Sequence, residues 1–312
     1  MAPRYHIRYL RRQEIDIERW DACMNTASNR LIYGRSFYLD VMTDGQWDAL
    51  VLDDYQAVMP LTWRRKFGFT YLYQPYFMPA LGVFGNGITE VTVSAFLRAI
   101  PSRFKYWDID LNEVNTTGGL SALPLKETAR RNYFLPLNSS YEDLRKGYKR
   151  LAVRMSGKAI DNGLEVVRHA SPADVIRHYQ DEYRRQQPKL TDTIYNRLIT
   201  VAEMALNEDS AAAYQAQWPD GEIGAFYLLL TDSNFVYSVI GGSTAKGKTV
   251  GAFYLLTDAA IRDHAATERT FRFEGSDLPG IAFFDAQFGP SPVPYHHLVM
   301  NRLPYPVNLF KR

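Results

Sequence analysis

Phe235-Val-Tyr-Ser-Val-Ile-Gly-Gly-Ser-Thr-Ala-Lys-Gly-Lys-Thr249 is a β-branched, apolar run that ends in a turn rich in glycine and lysine. Helical periodicity resumes near Val250, so the stretch reads as strand, loop, helix. Its second part, Gly242 to Thr249, matches the phosphate-loop pattern G-x-x-x-x-G-K-[ST] letter for letter. Backbone amides in such a loop gather around an anion, a helix start adds positive potential, and Lys246 or Lys248 supplies a cation. The alternative is a glycine-rich turn with solvated lysines. A nucleotide hydrolase needs several later parallel strands, one with a metal-binding carboxylate, and the roughly 60 residues that follow leave little room for them. The stretch therefore reads first as a loop that holds the pyrophosphate of a donor molecule, with a nucleotide-binding phosphate loop as the lesser reading. Its candidate cofactor contacts are Gly241, Gly242, Ser243, Thr244, Lys246, Gly247, Lys248 and Thr249.

Upstream of this loop, Ala212 to Gln217, Glu222 to Thr231 and Asn234 to Ile240 read as strands separated by the short turns Asp220-Gly221 and Asp232-Ser233. A helix from Val250 to about His264 and the strand Thr270 to Glu274 follow. The first half carries the same order. Helices near Glu14 to Met24 and Ser36 to Met42 precede strands at Ala49 to Leu52, Gln56 to Trp63 and Thr70 to Tyr73. A loop rich in proline and aromatics leads to a helix over Thr89 to Ile100 and a strand over Lys105 to Asp110. The repetition predicts two tandem domains of one mixed α/β class, residues 1–137 and 138–312, each a meander whose last crossover makes a parallel pair. Past Pro136, Asn138-Ser-Ser140 reads as the cap of a helix running to Asp161, with Glu142 and Asp143 in its first turn.

The 312 residues carry a net charge of +2, which creates no protein-wide field for nucleic acid, so DNA is not an expected partner. Cys23 is the single cysteine, which excludes an internal disulfide and leaves no metal cluster to expect. Charged residues at the N-terminus have no apolar core after them, and the apolar runs are of strand length, so the expectation is a soluble cytoplasmic protein with no transmembrane segment.

Three further segments carry a resemblance. They are Tyr73-Gln-Pro-Tyr-Phe-Met-Pro-Ala-Leu-Gly-Val-Phe84, the basic run Tyr148-Lys-Arg-Leu-Ala-Val-Arg154, and Phe273-Glu-Gly-Ser276 followed by Gly280-Ile281, Phe288-Gly289 and Val293-Pro-Tyr295. With them the second half resembles the acyltransferase fold of the Gcn5-related superfamily, and the whole chain resembles the Fem-type subgroup. That resemblance implies two acyl-coenzyme A N-acyltransferase-like domains in tandem, and transfer of an acyl or aminoacyl group from acyl-coenzyme A or aminoacyl-transfer RNA to an amine. A cell-wall precursor is the acceptor it suggests. The subgroup often has a lysine after an aromatic-Phe pair; this chain reads Phe283-Phe284-Asp285, an acid where a cation would stabilise the carbonyl. A non-catalytic protein that uses the fold to hold an anionic ligand is therefore the second hypothesis.

Tyr73, Gln74, Tyr76 and Phe77 form a candidate substrate wall, since an aromatic loop stiffened by prolines suits a pocket and Gln74 can orient an amide. Aromatics are equally ordinary core. Lys146, Lys149, Arg150 and Arg154 lie on a cationic strip for phosphates of a precursor, a transfer RNA or a lipid headgroup, although charge runs are commonly solvated helix faces. Acyl transfer to an amine needs a proton acceptor, for which Glu274 comes first, then His296 and Tyr295. Adjacent strand residues face opposite sides, so only one of His296 and His297 faces any given cleft.

Overall fold

The computed structural model describes residues 6–118, 124–274 and 277–310. In chain order the elements are β1 (Ile7–Leu10), α1 (Ile17–Thr26), α2 (Ser36–Thr43), β2 (Trp47–Leu52), β3 (Ala57–Lys66), β4 (Phe69–Tyr73), β5 (Phe84–Gly85), α3 (Glu90–Ala99) and β6 (Phe104–Asp110). They continue with β7 (Leu125–Pro136), α4 (Tyr141–Lys146), α5 (Arg150–Asp161), β8 (Glu165–Arg168), α6 (Pro172–Tyr183), α7 (Asp192–Asn207), β9 (Ala211–Gln217), β10 (Ile223–Thr231) and β11 (Phe235–Ser243). Last come α8 (Ala245–Val250), α9 (Ala252–His264), β12 (Thr270–Arg272), α10 (Pro279–Asp285) and β13 (Ser291–Asn301).

Contacts divide the chain into two compact units, one of residues up to Arg130 together with those from Pro294 onward, the other Arg131–Val293. The sequence reading drew a single break after Leu137. The division falls earlier because Phe134 to Pro136 pair antiparallel with Thr270 to Arg272 of β12. The C-terminal end returns to the first unit because His297 to Asn301 of β13 pair antiparallel with Tyr106 to Asp110 of β6.

Within the first unit, β1, β2, β3 and β4 form an antiparallel run and β4 pairs parallel with β6, Tyr73 opposite Asp108. Residues of β2 are buried along their whole length, and Trp107, Ile109, Leu298 and Met300 join the same core as Val93, Phe96 and Leu97 of α3. Thr89 starts α3 by accepting a hydrogen bond from the Thr92 amide, the cap its hydroxyl favours. Within the second unit, β8, β9, β10 and β11 are antiparallel neighbours, and β11 pairs parallel with β12. Leu255, Leu256, Ala260 and Ile261 of α9 cover Tyr227, Leu229 and Val236. The helix α9 starts at Gly251, whose φ of +84° and closeness to Met155 exclude a side chain: a Cβ there would lie 2.6 Å from Met155 O.

The helix expected from Ser140 to Asp161 is interrupted at Gly147 to Lys149. The buried Tyr148 ring packs edge-on against Phe288, 5.1 Å between centroids, and the Lys149 amide donates to Gln287 O at 2.8 Å. The chain leaves the helix to make this contact with the segment around Gly289, then restarts as α5. Lys146 thus belongs to α4, paired with Asp143 at 2.6 Å, and is not part of the Arg150, Arg154, Lys158 face.

Candidate functional site

In the second unit the parallel pair opens. β11 meets β12 only from Phe235 opposite Thr270 to Tyr237 opposite Arg272. Against β10 its register jumps from Ser238 opposite Leu229 to Ile240 opposite Leu228, which leaves Val239 as an extra, bulged residue. The bulge therefore falls just past the last parallel pair, and from Ser238 onward the edge that faced β12 runs beyond that ladder. A bulged strand edge of this kind turns backbone N–H groups toward a cleft.

The glycine-rich stretch that follows is shaped by packing. A Cβ on Gly241 would lie 2.5 Å from the Phe253 ring, one on Gly242 2.4 Å from Tyr183 Oη, and one on Gly247 1.8 Å from Gly224 O. Thr244 caps α8 by accepting from the Gly247 amide, and the Lys248 amide donates to Thr244 O. Lys246 is paired with Glu222 and lies 4.0 Å over the Trp218 ring. Thr249 Oγ1 donates to Lys246 O. Lys248 is exposed and has no ion pair among the described residues. The letter-for-letter phosphate-loop match thus arises from glycines that let β10, α6 and α9 approach, in a sheet whose neighbours are chiefly antiparallel, and the nucleotide-hydrolase reading lacks the parallel strands it requires.

Glu274 stands where the strands part, in the left-handed region at φ +50°. Its Oε1 is 3.1 Å from Arg272 Nε and its Oε2 accepts from Asn132 Nδ2 at 2.9 Å. Arg272 is 1% exposed and lies over the rings of Phe134 and Phe235 at 4.7 and 5.0 Å. Both carboxylate oxygens of Glu274 are thus engaged by neighbouring side chains. Gly275 and Ser276, the next residues of the resemblance segment, lie outside the described residues.

Asp285 closes α10. It is 4% exposed, its Oδ2 has no hydrogen-bond partner among the described residues, and burial pushes its carboxyl up to about 8. The adjacent Phe284 stacks on Phe253 at 5.0 Å, and Phe253 in turn contacts Tyr227 edge-on at 4.9 Å. The Tyr227 hydroxyl, which feels the Asp285 charge, donates to Ser238 Oγ at 2.9 Å, beside the bulge.

The first unit has a parallel opening of its own. Past Tyr73 the Gln74 side chain replaces the lost strand partner, its Oε1 accepting from the Asp110 amide at 3.0 Å and its Nε2 donating to Met78 O. A cleft of about 270 Å³, counting its open mouth, is lined by Thr62, Gln74, Leu81, Gly82 and Asp110 among others. Buried Asp110 accepts from Arg130 at 2.9 and 3.0 Å and lies 3.0 Å from His297 Nδ1. His297 Nε2 lies 3.7 Å from Asp108 Oδ1. His296 faces Glu127 instead, Nδ1 to Oε1 2.5 Å. Tyr295 is buried. Of the aromatic loop, Tyr73 lies under Arg64 at 4.2 Å, Phe77 O accepts from Tyr38 at 2.6 Å, and Tyr76 is exposed. Sequence reasoning missed the Asp110, Arg130, His297 group. Strand alternation showed that only one histidine faces a given cleft, but the pairing of β13 with β6 selects His297.

No protein-family model and no curated protein matches the chain. Solved structures do. The crystal structure of FemX superimposes with a TM-score of 0.69 at 13% identity, covering 95% of this chain and 98% of that one. The fold is that of a tandem N-acyltransferase. A tandem GNAT protein from the clavulanic acid biosynthesis pathway gives a TM-score of 0.54 at 11% identity, with 96% and 99% covered. The C-terminal domain of a putative lysylphosphatidylglycerol synthetase from Agrobacterium fabrum gives 0.56 at 14%, with 95% and 93% covered. In this N-acyltransferase fold the parallel opening occurs once in each unit. Among the described residues no helix is long and apolar enough to cross a membrane, and no group of three or more His, Cys, Asp or Glu is placed to hold a metal ion.

Proposed function

We propose that the protein transfers an acyl or aminoacyl group from a coenzyme A thioester or an aminoacyl-transfer RNA to an amine, with the donor carbonyl held at the opened edge of β11. The observation that carries this reading is the coincidence of the Val239 bulge with the end of the β11–β12 ladder. An amide at such an edge donates to the carbonyl oxygen as negative charge develops there. Lys248 is the cation left for the donor's phosphates, and Gly241 to Thr249 form the turn beside it. The amine nitrogen forms the new C–N bond, the C–S or C–O bond breaks, and the ammonium proton goes to a base. Glu274, in the same unit as β11, is the candidate for that role. Lys149, Arg150 and Arg154 would hold an anionic acceptor such as a cell-wall precursor.

Titration with acetyl-coenzyme A by calorimetry, followed by turnover with an amine panel and with charged transfer RNA, tests this. Saturable coenzyme binding weakened by Lys248→Ala, or amide formation from charged transfer RNA, supports it; neither binding nor turnover overturns it. Ligand binding without turnover is favoured by one observation, the buried acid Asp285 where the Fem-type resemblance implies a lysine. Gain of activity in Asp285→Lys would support that second reading.

A further inference from the structure

The turn between β3 and β4 places an aromatic side chain where chain geometry resists it and leaves it largely exposed. Lys66 and Phe69 form the last pair of the hairpin, so Phe67-Gly68 is the two-residue turn. Both residues have positive φ, +50° and +81°. Turns of this kind favour Asn-Gly or Asp-Gly, because a bulky side chain in the left-handed region clashes with its own backbone. Phe67 is nevertheless there, 83% exposed. It contributes nothing to the core that would offset the strain.

Its surroundings are cationic. Arg65 and Lys66 precede it, and Lys66 Nζ lies 5.3 Å from its ring centroid. Because β6 runs parallel to β4 and β13 antiparallel to β6, the first residues of β6 and the last of β13 lie at the same end of this sheet. That end adds Lys105, whose carbonyl accepts from the Arg302 amide at 2.7 Å, Arg302 itself, and Tyr305, 81% exposed. Arg65, Lys66, Lys105 and Arg302 form no ion pair among the described residues. Residues 63–73, 100–107 and 298–310 contain no aspartate or glutamate. The Asp110 cleft lies at the opposite, C-terminal ends of β4 and β6, so this surface is separate from it.

We propose that this end of the first unit docks on an anionic lipid bilayer, with Phe67 and Tyr305 entering the headgroup region and Arg65, Lys66, Lys105 and Arg302 against lipid phosphates. An aromatic ring on a projecting turn matches the interfacial zone, where rings with an apolar body settle, and unpaired cations beside it add attraction to a negative surface. A flat, sequence-independent anionic surface suits a ring carried on the tip of a projecting hairpin turn better than a nucleic acid, which binds through platforms on which successive bases stack. The inference is independent of the transfer chemistry.

The test is co-sedimentation of the full chain with vesicles of equal parts phosphatidylglycerol and phosphatidylcholine, against pure phosphatidylcholine and against a transfer-RNA transcript. Binding to the mixed vesicles is expected, weakened about fivefold for each of Arg65→Ala and Lys66→Ala. Phe67→Asn is the decisive variant: it relieves the turn, so thermal stability stays level or rises, while bilayer binding falls about tenfold or more. Equal binding to neutral vesicles, absence of vesicle binding, unchanged binding by Phe67→Asn, or preferential capture of the transcript through these residues overturns the proposal.

Discussion

Replacing Asp285 with asparagine should change how stability depends on pH, in a direction and by an amount that its surroundings fix. Burial alone lifts the carboxyl from 3.8 to about 8, and Tyr227 is the titratable group that senses its charge. Native chains therefore keep Asp285 protonated where unfolded chains have ionised it, so the native state binds the extra proton and stability falls as pH rises from the unfolded value toward the native one. At 1.36 kcal/mol per unit, the wild-type chain loses about 3 to 4 kcal/mol through this group between about pH 5 and pH 8, and the loss levels off above the native value. Asparagine has no such dependence. Its own cost in the site, that of burying an amide where Asp285 Oδ2 had no partner, is constant with pH and cancels when the two pH profiles are compared. Urea unfolding followed by tryptophan fluorescence at pH 5, 6, 7 and 8 gives the comparison. Asparagine should gain on the wild type steadily across that range; parallel profiles would show that Asp285 is ionised or solvated in the native chain and would refute the reasoning.

Gly247→Ala puts a methyl group 1.8 Å from Gly224 O, so α8 must shift; a loss of at least about 1 to 3 kcal/mol in thermal unfolding is expected, whereas an unchanged midpoint would show that α8 is not seated on β10. Arg272→Met removes the partner of buried Glu274 and should destabilise the second unit by about 3 to 5 kcal/mol, with part of the loss recovered by adding Glu274→Gln. Lys248→Ala should weaken coenzyme binding in calorimetry more than Lys246→Ala does, because Lys246 is already held by Glu222 and Trp218; the reverse order would place the donor's phosphates elsewhere.

Much of the architecture is legible along the chain because it is written in local signals. Asp220-Gly221 and Asp232-Ser233 mark turns, the strand-length apolar runs of β10 and β11 mark strands, and the repeated order of strands, helix and strand in the two halves marks a tandem fold. The break at Gly147 is not local. It depends on Tyr148 finding Phe288 and on Lys149 reaching Gln287, contacts across some 140 residues that no helical period encodes. The return of β13 to β6 is equally long-range, and it makes His297 rather than His296 the partner of Asp110.

The glycine-rich stretch illustrates the limit of motif reading most sharply. Its letters fit a phosphate loop, but a pattern of glycines records only where a side chain is excluded, not what excludes it. At Gly241 and Gly242 the excluding groups are the rings of Phe253 and Tyr183, and at Gly247 the excluding group is a backbone carbonyl on β10. Those contacts seat α9 and α6 against the end of β11 and α8 against β10. The glycines thus record packing, and Lys248 is the cation to test. A donor site that depended on the loop's amides would be sensitive to Thr244→Val, which removes the α8 cap. One that depended on the bulged edge would instead tolerate Thr244→Val in proportion to the stability it retains.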